Sequence, residues 1–273
     1  MRRVPAPAKI NLALVVGSVR PDGNHEVATV LQRVDVADRL QLEASPDGPH
    51  VAGFVADTLV GRALELLASE AGVEPRWRAT LTKRIPVAAG LGGGSSDAAA
   101  ALRLANETLD EPLPAASLQA LAGRLGADVP FFLSPGPQLG TGNGTELTAL
   151  ELPQDFFVLL VLPRDSVKTS TRATYAAFDR RGGATGFDER KAALLEGLGR
   201  VHRARDLARL PGNDLASSPL ARELEALGAF RADVSGAGPA VYGLFHHRSA
   251  AEAARRRLRR RGRTWLTVPV WYG

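Results

Sequence analysis

The run Gly90-Leu91-Gly92-Gly93-Gly94-Ser95-Ser96-Asp97 stands directly before the alanine-rich stretch Ala98–Ala101. Glycine weakens both helix and strand and serves where the backbone needs unusual φ or a close approach. The residues after the run are strong helix formers, and Ser95, Ser96 and Asp97 are all N-cap types, so a helix is predicted over 95–107. A loop opening into a helix start aims free N–H groups and the positive end of the helix dipole at one point, which suits phosphate. A strand–helix connection without a ligand is the plainer alternative. The run is not a Walker A sequence: no Gly-Lys-Ser/Thr closes it, and no lysine lies between Lys83 and Lys168. It is not a dinucleotide fingerprint either, since no acidic residue stands out on a following strand tip. Phosphate would be held by backbone amides and hydroxyls, with cationic help from elsewhere.

Two charged residues offer that help and a reaction. Only four lysines (Lys9, Lys83, Lys168, Lys191) stand against thirty arginines, so lysine is not the default surface cation here. Lys9 opens an otherwise apolar strand in Pro7-Ala8-Lys9-Ile10-Asn11-Leu12, and Asp128 precedes the apolar run Val129-Pro130-Phe131-Phe132. Singly, Lys9 reads equally well as an edge-strand charge and Asp128 as a loop or capping residue. Together beside a phosphate loop they suit phosphoryl transfer, the carboxylate taking a hydroxyl proton and the ammonium stabilising charge. Two more glycine-bearing stretches, Gly140–Thr145 and Ser235-Gly236-Ala237-Gly238-Pro239, sit where hairpin turns are expected.

The elements that must position these residues alternate. Strands are predicted at 8–19, 77–82, 156–162, 232–235, 241–245 and 265–270, with short β-like runs over 27–43 broken at Ala37-Asp38. Helices are predicted at 59–71, 115–125, 170–178, 188–198 and 214–227. The sequence over 156–162, FFVLLVL, is wholly apolar and ends at Pro163, and composition changes near 150–155. This gives two domains, 1–152 carrying the phosphate loop and 153–273. Residues 180–186 (RRGGATG) are the expected flexible loop.

Composition narrows the class. The 273 residues are enough for a large core, and 45% hydrophobic with 23% charged residues is ordinary for a globular chain. Cysteine is absent, which excludes disulfides and cysteine metal sites. No apolar stretch reaches the ~20 residues that span a bilayer, and no signal or transit segment is read before the first strand. A soluble cytoplasmic protein without membrane contact is expected. The net charge of +5 is concentrated in residues 248–263, which hold eight arginines and one acid, Glu252. Helical spacing, with Ala250, Ala254 and Leu258 on one side, makes this the solvated face of a late helix. A polyanion-binding face is the alternative, but no aromatic platform interleaves the arginines, and no nucleic-acid partner is expected.

The stretches PAKINL (7–12), the loop from Pro86 to Ala98, and Ser235–Pro239 resemble the three ordered motifs of the GHMP kinase superfamily. Within it, PAKINL, Asp22-Gly23-Asn24-His25-Glu26, GLGGGSSDAA, GADVPFF and Asn213-Asp214-Leu215 resemble the branch acting on a cytidyl-diphosphate methylerythritol in non-mevalonate isoprenoid synthesis. The likeness runs from residue 5 to about 245. It implies an α+β, two-domain GHMP kinase fold, with an N-terminal ribosomal-protein-S5-domain-2-like domain and a C-terminal ferredoxin-like α/β sandwich.

It also implies ATP and Mg²⁺ as the phosphoryl donor and its metal. Lys9 and Asp128 match the catalytic pair. Pro86, Val87, Ala88, Ala89, Gly90, Leu91, Gly92, Gly93, Gly94, Ser95 and Ser96 match the loop that wraps the ATP phosphates, with Ser96 the hydroxyl nearest Mg²⁺. Asn11 would bind the methylerythritol end, Asn24 and His25 the cytosine, and Gly236 and Gly238 would help close the site. Three positions depart from the pattern. Asn24 stands where a tyrosine usually stacks on the cytosine, Thr58 where an asparagine is common near adenine, and Thr145 near an expected glutamate. Another GHMP small-molecule kinase, acting on homoserine, mevalonate or a sugar, is the alternative, followed by a non-catalytic nucleotide or polyanion binder. Both a monomer and a homodimer are compatible with the sequence.

Overall fold

The structure is a computed structural model that describes residues 2–54, 58–166 and 170–270. Its first half is a sheet wrapped around one long strand. Strand β1 (Arg2–Val19) pairs antiparallel with β2 (His25–Ala44) along almost its whole length. Among the described strands β1 pairs with β2 alone, with one isolated bridge from Leu14 to Asn213, so Pro5 and Pro7, which have no N–H to donate, are tolerated at this edge. The strand therefore begins at Arg2, earlier than the predicted 8.

β2 is not broken at Ala37-Asp38. It runs through, and the register between β1 and β2 slips there instead, Pro7 facing Ala37 while Ala8 faces Val34. Such a bulge leaves extra residues of one strand unpaired and bends it. β2 also receives β4 (Trp77–Thr82) at Arg39–Ala44 and β5 (Gln138–Thr141) at Thr29–Leu31. The short β3 (His50–Ala52) extends the sheet beyond β4, and β6 (Glu146–Ala149) forms the expected hairpin with β5. Helices α1 (Thr58–Ala71), α2 (Gly93–Asn106), α3 (Ala115–Leu125) and the one-turn α4 (Val129–Leu133) pack on this sheet through Leu40, Leu64, Leu67, Leu102 and Phe131.

The chain changes sheet between β6 and β7 (Phe157–Pro163). The second sheet is antiparallel, in the order β10 (Gly262–Thr267), β7, β9 (Val241–Phe245), β8 (Arg231–Val234). β7 explains its own unbroken apolar sequence. Val158 and Leu160 face the core shared with Ile10 and Leu12 of β1, while Leu159 and Val161 face the helices α7 (Pro219–Ala226) and α8 (Arg248–Leu258). Each such buried side chain contributes about 1.5–3 kcal/mol.

Helices α5 (Thr171–Arg180) and α6 (Phe187–Leu198) and a 3₁₀ turn at Ala204–Arg209 complete the second half. The helix predicted over 214–227 is shorter, because Asn213 through Ser218 form a loop and Ser218 caps α7 at Leu220 N. The predicted last strand is two: β10 stays in the second sheet, whereas β11 (Pro269–Val270) returns to β2 of the first, outside the sheet that residues 153–273 otherwise build. In α8 the buried side is Ala251, Ala254 and Leu258, not Ala250, and the arginines lie outward. Among the described residues no helix is long and apolar enough to cross a membrane.

Candidate active site

The glycine run does form a loop between a strand and a helix. It leaves β4 at Thr82 and enters α2 at Gly93. Ala88 (φ 54), Gly90 (φ 81) and Gly92 (φ 68) are left-handed, a region that costs an L-residue roughly 1–2 kcal/mol. A Cβ on Gly90 would stand 2.1 Å from the Ser235 carbonyl oxygen, so glycine is needed there for space as well as for φ.

Three bonds hold the loop against the strands carrying the other motifs. Lys9 N–H donates to Leu91 O (2.9 Å), Ser235 Oγ–H to Gly90 O (2.9 Å) and Ala240 N–H to Ala89 O (3.0 Å). Helix α2 starts two residues before the predicted 95, with Gly92 as its N-cap and no side-chain cap. None of Ser95, Ser96 or Asp97 serves as the cap. The N–H groups of this first turn are among the orphans every helix start leaves. They border a cavity of about 470 Å³ walled by residues 86–95, Phe54, Leu59, Lys83 and Thr171.

A second cavity, about 310 Å³, adjoins it and shares the walls Ala88, Gly90, Gly92 and Thr171. Lys9 and Asp128 meet in it, Nζ to Oδ2 3.4 Å apart. Lys9 is almost fully buried (side chain 5% exposed), whereas Asp128 is 40% exposed and open to a ligand. The Lys9 ammonium also donates to Asn11 Oδ1 (2.7 Å), Asn11 Nδ2 donates to Thr29 Oγ1 (2.8 Å), and Thr29 Oγ1 donates to Ala13 O (2.8 Å). This chain fixes the ammonium with little freedom to swing. Gly236 (φ 56) and Gly238 (φ 76) cross the same cavity, and a Cβ on Gly236 would lie 3.4 Å from Lys9 Nζ. Asp128 ends the turn after α3 and precedes α4, whose C-terminal side is gripped by buried Arg33. That guanidinium donates to Phe131 O (2.5 Å), Ser134 O and Gly136 O (3.4 Å). Burial, with Arg103 nearby, pushes its pKa down to about 10, which leaves it charged at neutral pH.

Comparison with known proteins fits this geometry. Residues 58–136 match the GHMP kinases N terminal domain and residues 216–264 the GHMP kinases C terminal domain. A 4-diphosphocytidyl-2-C-methyl-D-erythritol kinase of Anaeromyxobacter dehalogenans is 39% identical over 91% of this chain and 82% of its own length. One from Geobacter sulfurreducens is 36% identical, covering 97% and 96%. A crystal structure of 4-(cytidine 5'-diphospho)-2C-methyl-D-erythritol kinase superposes over 100% of both chains with a TM-score of 0.79 at 33% identity. The chain belongs to the 4-diphosphocytidyl-2-C-methyl-D-erythritol kinase family of GHMP kinases. A mevalonate kinase structure with a TM-score of 0.77 at 12% identity shares the fold.

The predicted residues of this family site do not all converge. Lys9, Asn11, Asp128, Gly236 and Gly238 line the second cavity, and Pro86–Ser95 the first. Ser96 does not. Its buried hydroxyl has no hydrogen-bond partner among the described residues, and the residue lines a separate recess with Ala100 and Arg103 on the other side of α2, because the earlier helix start turns it away from the loop. Ser95 is the hydroxyl residue on the loop cavity. Asn24 is exposed in a turn, its N–H bonded to Asp22 Oδ1 (2.9 Å), and does not line the cavity. His25 packs against Tyr175 with the rings tilted (centroids 4.5 Å apart, 30° between planes) and Nε2 2.8 Å from Asp179 Oδ1.

Tyr175, on α5, is the ring on the wall. Burial, with the Asp128 charge added, raises its phenol to about 12, so it is a neutral donor at physiological pH. Sequence reading missed Tyr175 because α5 arrives from the other half of the chain. It also missed Lys83, which contacts Asp38 and Asp97 from beneath the loop. Thr145 sits in the β5–β6 turn, bonded to Asn143 Oδ1 (2.7 Å), and the adjacent Glu146 accepts from Thr141 Oγ1 (3.2 Å). The side chain of Thr58, and Lys168, lie outside the described residues.

Proposed function

We propose that this chain transfers the γ-phosphoryl group of ATP to the 2-hydroxyl of 4-diphosphocytidyl-2-C-methyl-D-erythritol, in the cytoplasm, as a step of isoprenoid precursor synthesis. The observation that carries the reading is the pair of adjoining cavities. One is walled by the glycine loop and a helix start, the other holds Lys9 and Asp128, and they share Ala88, Gly90 and Gly92.

ATP lies along the loop, its phosphates on the amides of the loop and of the first turn of α2. The acceptor lies in the second cavity with its 2-hydroxyl at Asp128. Asp128 takes the hydroxyl proton as the new P–O bond forms and ADP departs with the bridging oxygen. Lys9 pairs with Asp128 and steadies charge on the reacting oxygens, while Asn11 and Thr29 hold its ammonium in place. Tyr175 offers its face to the cytosine, with His25 behind it fixed by Asp179.

The residues fit Mg²⁺. Magnesium takes few protein ligands beside substrate phosphates. Ser95 supplies a hydroxyl on the loop cavity and Asp128 a half-exposed carboxylate next door, and no cluster of three or more His, Asp or Glu occurs among the described residues. When bound, the ion neutralises phosphate charge. ADP release with Mg-ATP and, in turn, 4-diphosphocytidyl-2-C-methyl-D-erythritol, homoserine, mevalonate and galactose tests the reading. Turnover of the first alone is expected, and turnover of another compound in its place would overturn it.

A further inference from the structure

Lys83 stands at the junction of β4 and the loop, with its ammonium 2.5 Å from Asp38 Oδ2 and 2.6 Å from Asp97 Oδ2. Both carboxylates are fully buried. Asp38, on β2, accepts hydrogen bonds at Oδ1 from Arg84 N–H (2.5 Å) and Ile85 N–H (2.8 Å), the first residues of the loop. Asp97 belongs to the second turn of α2, just past the loop's end. The ammonium lies against the helix start itself, since a Cβ on Gly93 would be 3.2 Å from Lys83 Nζ.

We infer that Lys83 is a positioning residue: with Asp38 and Asp97 it ties the two ends of the glycine loop together and so sets the amides that receive the nucleotide phosphates. The inference rests on the reading of the loop as a nucleotide site. Without the ammonium, two buried carboxylates would face each other across the loop's base, and a buried charge that loses its partner is strongly destabilising. The ends would part, and the negative charge left behind would repel phosphate. Lys9 and Asp128 are held by other bonds, so the phosphoryl-transfer step itself is spared.

The test is Lys83→Met against Lys83→Arg, read by binding of N-methylanthraniloyl-ADP and by steady-state kinetics. Lys83→Met is expected to raise the Kd of the probe and the KM for ATP more than about tenfold, with kcat falling much less. Lys83→Arg, which keeps both ion pairs, is expected to restore most of the affinity. A folded Lys83→Met that binds the probe as tightly as wild type overturns the inference. If Lys83→Met does not fold, amide exchange of the unliganded wild-type chain decides: the Arg84 and Ile85 amides and those of residues 96–98 are expected to be protected, and exchange there at the open-loop rate overturns the tie. A wild-type chain that fails to bind the probe at all removes the nucleotide reading, and the exchange measurement then judges the tie alone.

Discussion

The two adjoining cavities are built on opposite principles. The loop cavity is mostly backbone: its wall runs from Pro86 to Ser95, and the left-handed Ala88, Gly90 and Gly92 shape it. The acceptor cavity is mostly side chain, with Lys9, Asn11, Thr29, Asp128 and Tyr175 converging from β1, β2, the turn before α4 and α5. Backbone recognition is indifferent to what the ligand carries beyond its phosphates, whereas a constellation of side chains distinguishes one acceptor from another. The difference predicts separable failures. Damage to the loop should weaken nucleotide binding whatever the acceptor, and damage to the acceptor cavity should alter chemistry or acceptor choice while ATP still binds.

The largest effect belongs to Asp128→Asn. It keeps the shape and removes the proton acceptor, and general-base groups are typically worth about 10²–10⁴ in rate. A fall of that order in kcat with little change in KM for ATP is expected, and full activity would remove Asp128 from the mechanism. Gly90→Ala attacks the other cavity. The strained φ costs about 1–2 kcal/mol before the 2.1 Å approach of its Cβ to Ser235 O is counted. The KM for ATP should rise roughly thirtyfold or more. A selective loss of kcat in this variant would break the contrast between the cavities.

The same contrast explains what was legible in the sequence. The loop is local: ten consecutive residues carry it, and its glycines with the helix formers behind them announced a strand–helix turn, differing from the structure in the helix start, 95 rather than Gly93, and in the cap, which is Gly92. Ser96, the hydroxyl implied to lie nearest the metal, lines a recess on the other side of the helix start, and Ser95 lines the loop cavity. The acceptor cavity is assembled from many separated segments, so the motifs pointed to Lys9, Asn11, Asp128, Gly236 and Gly238 but not to Thr29 or Tyr175. Asn11, implied by the resemblance to contact the substrate, lines the acceptor cavity, and the structure adds that its amide is also engaged by Lys9 and Thr29. Arg33, Lys83 and Tyr175 left no local signal, since Arg33 meets Phe131 from 98 residues away, Tyr175 packs with His25 from the other half of the chain, and Lys83 meets Asp38 across the sheet. The strand β7 followed from its apolar run, whereas the two-domain α+β fold followed from the likeness of the motifs to the GHMP kinases. The return of β11 to β2 did not, because Trp265–Val270 reads as one strand until Thr267 and Pro269 are seen to belong to different sheets.

Tyr175 and Asn24 sharpen the comparison within the acceptor cavity. Base–aromatic stacking is worth about 1–3 kcal/mol, so Tyr175→Ala should raise the KM for the cytidyl substrate about tenfold and leave that for ATP unchanged. Such a rise would tie cytosine recognition to α5, and an unchanged value would release Tyr175 from it. Asn24→Tyr is the gentler change. Asn24 is exposed and bonds Asp22 through its backbone N–H and its side chain, so a ring has room at the cost of one exposed side-chain bond. If the added ring reaches the free face of the base, the KM for the cytidyl substrate should fall about threefold, less than a full stacking contribution because the ring must be ordered from an exposed turn. An unchanged KM would show that Tyr175, backed by His25 and Asp179, already supplies the aromatic contact, and that the turn at Asn24 has been relieved of it.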